Sequence, residues 1–396
     1  MRKEVNSVTI IGGGPAGLKT AIELLKRNFK GSITIFEEDK EIGKPTHCAG
    51  LVSLDCINML DQNIPRTLIV NRIKGAKIFF PNNRELIVSK NRYIAAVIDR
   101  ENLDKYLAEQ AMLRGANLVK GIKVCDLDIV RHKLLLSNKE THSFNTLVIA
   151  SGVKERLTKK LGLRELKGKL PALQWDMVGV KDLDPKIVEI YLGSRFSEGL
   201  FAWIIPLDEG KARVGVATLK DPLSRLTYMV TRHPLLSQRF SHAKRIKTYG
   251  GAVITLEAKR KIVKDNVSLI GDIAGQTKPT TGGGLYYLSL AASYLADAIS
   301  KNCLGFYEKM WKKAMEKELK IQLALRLFLN NLNDNALISL YKILKDTDFE
   351  RIASVKGDMD FQSNIIGKLM LSGLGKVLLN PQLLFPLVSA LAGAIF

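Results

Sequence analysis

The stretch Val8-Thr9-Ile10-Ile11-Gly12-Gly13-Gly14-Pro15-Ala16-Gly17 constrains this chain more than any other. Val8, Ile10 and Ile11 make a buried strand that stops at glycines. Gly12, Gly14 and Gly17 carry the G-x-G-x-x-G spacing, with Ala16 inside it. Bare backbone of this kind lets a pyrophosphate approach closely, and a helix that starts at once (Leu18 to Lys26) turns its free amides toward the anion. A second strand, Ser32 to Phe36, ends at Glu37, where an acid can take ribose hydroxyls. The spacing alone is often chance. Its place between a strand and a helix makes it a dinucleotide cradle.

Further short pieces read as returns to the same unit. Asp99 is placed to cap a helix through Leu103, Leu107 and Ala111. Asn117 to Val124 and Asn145 to Ala150 are apolar strands that complete a parallel sheet, the second ending at Ser151-Gly152. Val267 to Ile270 is another strand, ending in Gly271-Asp272. Between them, Lys77 to Val88 and Leu173 to Leu219 alternate as an antiparallel sheet would. From Phe306 the period becomes helical, through Met310, Ala314, Ile321, Leu325 and Phe328. The units are interleaved, with no repeat and no low-complexity linker.

At 396 residues the chain holds two or three such units. Its 60 Lys and Arg against 39 Asp and Glu leave a net charge of +21. An anionic lipid surface or an acidic electron carrier fits that charge, and so does a solvated basic surface. No nucleic-acid motif accompanies the charge, so nucleic acid is not expected. Cys48, Cys56, Cys125 and Cys303 form no C-x-x-C pair and no metal spacing with histidine. That predicts no metal and a reducing, cytoplasmic setting, with no signal peptide ahead of the first strand. Gln382 to Phe396 is strongly apolar but short and broken by Pro386. It reads as a docked terminal helix rather than a membrane-surface anchor, and not as a span.

Four signatures, in order, resemble the FAD-dependent geranylgeranyl reductase family, within the para-hydroxybenzoate hydroxylase-like flavoprotein fold. They are the opening turn with Glu37, and Gly43-Lys44-Pro45-Thr46-His47-Cys48-Ala49-Gly50. Then come Glu198-Gly199-Leu200-Phe201-Ala202-Trp203-Ile204-Ile205-Pro206, and Gly250-Gly251-Ala252 with Gly271-Asp272 and Gly282-Gly283-Gly284. The resemblance runs from residue 5 to about residue 300 and is weak in the helical tail. It implies an α/β chain, α+β overall: a Rossmann-type FAD-binding domain interleaved with an antiparallel-sheet substrate domain, plus a C-terminal helical region. The expected division is 1–60, 91–155 and 250–305 for FAD, 61–90 and 156–249 for substrate, and 306–396 for the helices.

The resemblance also assigns sites. Gly12, Gly14, Ala16, Gly17, Glu37, Arg100, Val124, Ser151, Gly152, Gly271 and Asp272 would hold FAD, with Arg100 near its phosphates. Cys48, Ala49 and Gly50 would lie beside the flavin ring. Gly283 and Gly284 precede an apolar helix (Leu285 to Ile299) whose amide end suits the negative charge of reduced flavin. By itself Cys48 reads as a small buried hydrophobe. Its family position implies a thiol that delivers a proton, with His47 as a possible assistant or a plain loop residue. Phe201, Trp203, Ile205 and Pro206 match the family's P-x-x-Y/F-x-W-x-F-P substrate wall; Phe201 and Trp203 share one strand face. An aromatic, apolar wall suits a polyprenyl chain as well as an ordinary core. Glu198 replaces the leading proline and Ile205 the last aromatic, which leaves the identity of the lipid open.

These features favour an FAD-dependent reductase that saturates C=C bonds of isoprenoid chains on lipids or prenylquinones. The alternatives are a flavin monooxygenase of the same fold and a lipid-binding protein with structural FAD. Monooxygenases commonly carry D-G-x-x-S-x-x-R; here Ser151 to Thr158 lacks the Asp, Ser and final Arg. No second G-x-G-x-x-G marks a nicotinamide domain. Electrons would come from an acidic carrier such as ferredoxin or from visiting NAD(P)H, with peripheral membrane contact left open.

Overall fold

The computed structural model describes residues 7–257 and 260–395, apart from the side chains of 367–374 and 395. The last residue of the apolar end, Phe396, lies outside this range. The cradle belongs to a six-stranded sheet ordered Val263–Lys264, Val267–Leu269, Thr146–Ile149, Ser7–Ile11, Ser32–Glu37 and Asn117–Lys120. All neighbours run parallel except the first pair. Parallel strands are covered on both faces, which is why Thr146–Ile149 is buried at every position. Helices Pro15–Lys26, Arg100–Leu113 and Leu285–Ser300 place their apolar residues in the same core. Asp99 caps the second of these, its carboxylate accepting from the Asn102 N–H at 3.1 Å.

One strand differs from the sequence expectation. Asn117 to Val124 is broken at Gly121, whose φ of +75° turns the chain out of the sheet. Val124–Asp128 then opens a separate three-stranded antiparallel sheet with Lys133–Leu136 and Thr141–Ser143.

The second large sheet has seven strands, ordered Lys244–Ile254, Lys169–Val178, Lys211–Ala217, Phe201–Asp208, Ile187–Tyr191, Gly75–Phe80 and Arg84–Ser89. It is antiparallel except where Ile187–Tyr191 runs parallel to Gly75–Phe80. The two-residue period of Phe201–Asp208 divides its side chains between two cores. Ala202 and Ile204 pack with Val214 and Leu226, while Trp203 and Ile205 pack with Leu170 and Val188.

The last quarter of the chain is helical: Leu304–Asn330, Asp334–Asp346, Phe349–Lys356, Ser363–Leu378 and Pro381–Ile395. The first is long enough to join two cores. Trp311, Met315 and Leu319 enter the core of the parallel sheet, and Phe328 packs with Ala336, Leu340, Leu383 and Ala390. Helix Pro381–Ile395 is thereby docked on the long helix through Leu383 and Ala390. Among the described residues no helix is long and apolar enough to cross a membrane.

Candidate active site

A cavity of about 1830 Å³ runs from the glycine cradle, past the His47-Cys48 loop, to the C-terminal helices. One drug-sized ligand occupies about 300–1,000 Å³, so the space accommodates a dinucleotide and a second, elongated molecule. Of the residues the sequence singled out, Gly17 and Pro206 are absent from its wall. Gly17 instead lets the helix approach the strand, since a methyl there would stand 2.1 Å from the Gly12 carbonyl oxygen. Pro206 holds a neighbouring strand, its carbonyl accepting from Asn71 Nδ2 at 2.9 Å.

At the cradle, Gly12 has φ +109°, and a Cβ would lie 2.4 Å from the Ala150 oxygen. Gly14 is different: its φ of −79° is ordinary, and a Cβ there would meet nothing within 4 Å. It borders open cavity. Glu37 shapes the rim, with Oε2 accepting from the Gly13 N–H at 2.6 Å and Oε1 from the Asp39 N–H at 2.8 Å. Val124, Ser151 and Gly152 line the wall beside it. Gly271 (φ +78°) presents Asp272, whose carboxylate has no hydrogen-bond partner among the described residues. Burial raises the Asp272 pKa, opposed by the Arg100 charge. A bare glycine cradle, an acid at a strand end and an unpartnered, half-buried carboxylate fit an anionic dinucleotide rich in hydroxyls. FAD is such a group.

The Cys48 loop is fixed from three sides. Cys48 is half-buried and its Sγ accepts from the Gly50 N–H at 3.3 Å. The preceding residue, His47, is exposed, its Nδ1 bonded to the Gly250 carbonyl, and its own carbonyl accepts from Gln174 Nε2 at 3.3 Å. Arg213 donates to the Ala49 carbonyl at 2.8 Å and forks onto Asp176 at 2.7 and 2.8 Å. Tyr249 donates to the same carboxylate at 2.6 Å.

Arg100, which the resemblance put near phosphates, bonds Asp104 one turn along its helix. Burial disfavours the Arg100 cation, but Asp104 and Cys48 outweigh it and raise its pKa. Burial pushes Asp104 up against the pull of Arg100. The ion pair therefore holds a committed cation in the wall of the cavity that Cys48 also lines. Arg213 also interacts with Cys48, after burial and its stronger tie to Asp176.

Beyond this loop the walls are apolar. Phe201, Trp203 and Ile205 line one side, with the two aromatic rings edge-to-face at 6.1 Å. The indole lies over Gly215 on the next strand, where a Cβ would be 2.5 Å from the ring. The same cavity is also lined by Ile321, Leu325 and Phe328 of the long helix, and by Leu340, Ile343 and Leu344. Sequence reasoning read that stretch only as helical, without a cavity wall in it. It also passed over Gln174, Tyr249 and Lys278. Lys278 lines the cavity and pairs with buried Asp360 at 2.8 Å, a contact 82 positions apart that no local pattern signals.

Residues 6–174 match the pyridine nucleotide-disulphide oxidoreductase family. An uncharacterized protein of Methanocaldococcus jannaschii is 31% identical over 390 residues, covering 95% of this chain and 98% of the relative. A digeranylgeranylglycerophospholipid reductase of Methanothermobacter thermautotrophicus is 28% identical over 369 residues, covering 88% of this chain and 94% of the relative. Among solved structures, a geranylgeranyl bacteriochlorophyll reductase-like protein of Thermoplasma acidophilum superposes with a TM-score of 0.80 at 24% identity. It covers 95% of this chain and 98% of its own. A flavin-dependent brominase shares the fold more distantly, with a TM-score of 0.69 at 18% identity and coverage of 94% and 100%. With its relatives, cradle and Cys48 loop in one order along the whole chain, this protein belongs to the geranylgeranyl reductase family of flavoproteins.

Proposed function

We propose that this chain is an FAD-dependent oxidoreductase that saturates C=C bonds of isoprenoid chains carried by lipids. The observation that carries the reading is one cavity lined by a dinucleotide cradle, the Cys48 loop and a run of apolar side chains. The lipid-reductase relatives support the same substrate class.

Reducing an isolated alkene requires a hydride at one carbon and a proton at the other. FAD, when bound and reduced, supplies the hydride. Gly12, Gly14 and Glu37 would hold its adenosine half, and Asp272 its hydroxyl-bearing chain. Cys48 holds a proton at Sγ for the second carbon. Arg213 holds the loop that carries this thiol, through the Ala49 carbonyl. Trp203, Phe201, Ile321 and Leu325 exclude water and align a chain that offers surface but no polar handle. His47 holds the loop through Gly250.

The electron donor in this reading is an acidic carrier or NAD(P)H. Carrier-driven turnover that falls as ionic strength rises, with dithionite-driven turnover unchanged, distinguishes the first from the second. Peripheral contact with a lipid surface completes the reading. Its test is product mass. Dithionite-reduced protein incubated without oxygen with a geranylgeranyl lipid is expected to yield product gaining two hydrogens per double bond. Product that forms only with oxygen and gains an oxygen atom would instead mark a monooxygenase, and no product with tight lipid binding would mark a carrier.

A further inference from the structure

Helix Pro381–Ile395 contains no ionisable residue, yet only one of its faces is used in packing. Leu383 and Ala390 are buried against the long helix, and Gly393 allows close approach to Leu327. The opposite face is apolar and open: Phe385 is 79% exposed and Val388 57%. Leu378 and Leu379, at the end of the preceding helix, extend it, and Leu379 is 85% exposed. Leu391 belongs to both surfaces. It is 43% exposed and also lines the cavity, together with Val377, Leu387 and Ala390. The apolar tunnel therefore reaches this face. Lys317 of the long helix also lines the cavity; it is exposed and has no carboxylate partner among the described residues.

We propose that this face seats on an anionic lipid bilayer, and that the cavity opens into the membrane beside helix Pro381–Ile395. The isoprenoid chain then slides from the bilayer to the thiol without crossing water. The inference rests on the lipid reading above for what passes through the portal, but not for the docking itself. An uncharged helix too short to span is suited to lie in the interface plane, with its apolar side among acyl chains. The net charge of +21 attracts an anionic surface and opposes a second copy of the same chain as the occupant. A ligand with almost no solubility in water also needs an entrance that is itself apolar.

The experiment uses FAD-loaded full-length protein and vesicles of phosphatidylglycerol and phosphatidylcholine. Phe385→Glu with Val388→Glu removes the apolar face at two exposed positions outside the cavity wall. Wild type is expected to float with the vesicles and to be released by salt or by neutral vesicles. The double variant is expected to lose roughly tenfold or more of its vesicle partition. Its turnover of bilayer-embedded lipid falls in parallel, while FAD content and turnover of detergent-dispersed lipid stay at wild-type levels. Wild type that remains with the soluble fraction overturns the proposal, as does a variant with undiminished turnover of embedded lipid. So does a wild-type dimer that the substitutions convert to monomer with vesicle binding unchanged. If neither form reduces any lipid, the catalytic reading fails, and flotation still decides the docking.

Discussion

Arg100 and Asp104, four positions apart on one helix, form a forked ion pair with Nη2 at 3.0 and 3.1 Å from the two carboxylate oxygens. The pair is almost fully withdrawn from water, with side-chain exposures of 12% and 11%. Burial disfavours its cation, but Asp104 outweighs that and keeps the charge. The same charge opposes the rise that burial imposes on Asp272.

Because desolvated partners depend on each other, Arg100→Met is expected to cost about 3–5 kcal/mol by leaving Asp104 uncompensated. Adding Asp104→Leu is expected to restore most of that loss. Chemical unfolding of the FAD-free proteins measures both. A single variant as stable as wild type would show that the pair is solvated and the charge not committed.

Cys48→Ala is expected to keep FAD bound but slow the single-turnover oxidation of reduced protein by lipid by about a hundredfold or more. Stopped-flow absorbance without oxygen reads the rate. Wild-type kinetics in the variant would return Cys48 to packing.

Two glycines of the cradle separate fold from cofactor. Gly14→Ala places its methyl in open cavity at an ordinary φ. It is expected to leave the FAD-free protein as stable as wild type and to weaken FAD binding by about 1–3 kcal/mol. Gly12→Ala meets the Ala150 carbonyl at 2.4 Å with φ +109°, so it is expected to destabilise the protein itself by more than about 1–3 kcal/mol. Thermal unfolding with and without FAD distinguishes them; equal FAD affinity in Gly14→Ala would place the cofactor elsewhere.

Asp272 has opposite expected effects on the empty and loaded protein. Its folded-state pKa is raised by burial, so the folded FAD-free protein holds this proton more tightly than the unfolded chain. Stability is then lost as pH rises from the unfolded value of about 3.8 through the raised one. Asp272→Asn is expected to stabilise the FAD-free protein at neutral pH, with the difference closing as pH falls below that unfolded value. The same change is expected to weaken FAD binding by about 1.5–3 kcal/mol, through loss of a charged acceptor. Melting curves across pH and FAD titration measure the two signs.

Local features were the legible ones. The cradle, the Asp99 cap and the alternation through Phe201 and Trp203 are written in adjacent residues, because each depends on the backbone period of one element. The break at Gly121 was missed, since a glycine inside an apolar run does not announce the sign of its φ. Asp104 was within reach as the i+4 partner of Arg100. Lys278 with Asp360, and Gln174 with the His47 carbonyl, join distant segments and have no local signature. The far tunnel wall was hidden for another reason. Ile321, Leu325 and Phe328 have the helical period of ordinary core residues, and only the placement of the long helix along the cavity makes them lining.

The most direct measurement of the central claim is an anaerobic titration of dithionite-reduced, FAD-loaded protein, freed of excess reductant, with a geranylgeranyl lipid. The account expects flavin absorbance to return as lipid is added, with one double bond saturated per flavin oxidised. Flavin that stays reduced in the presence of bound lipid, and reoxidises only when oxygen is admitted, would contradict it.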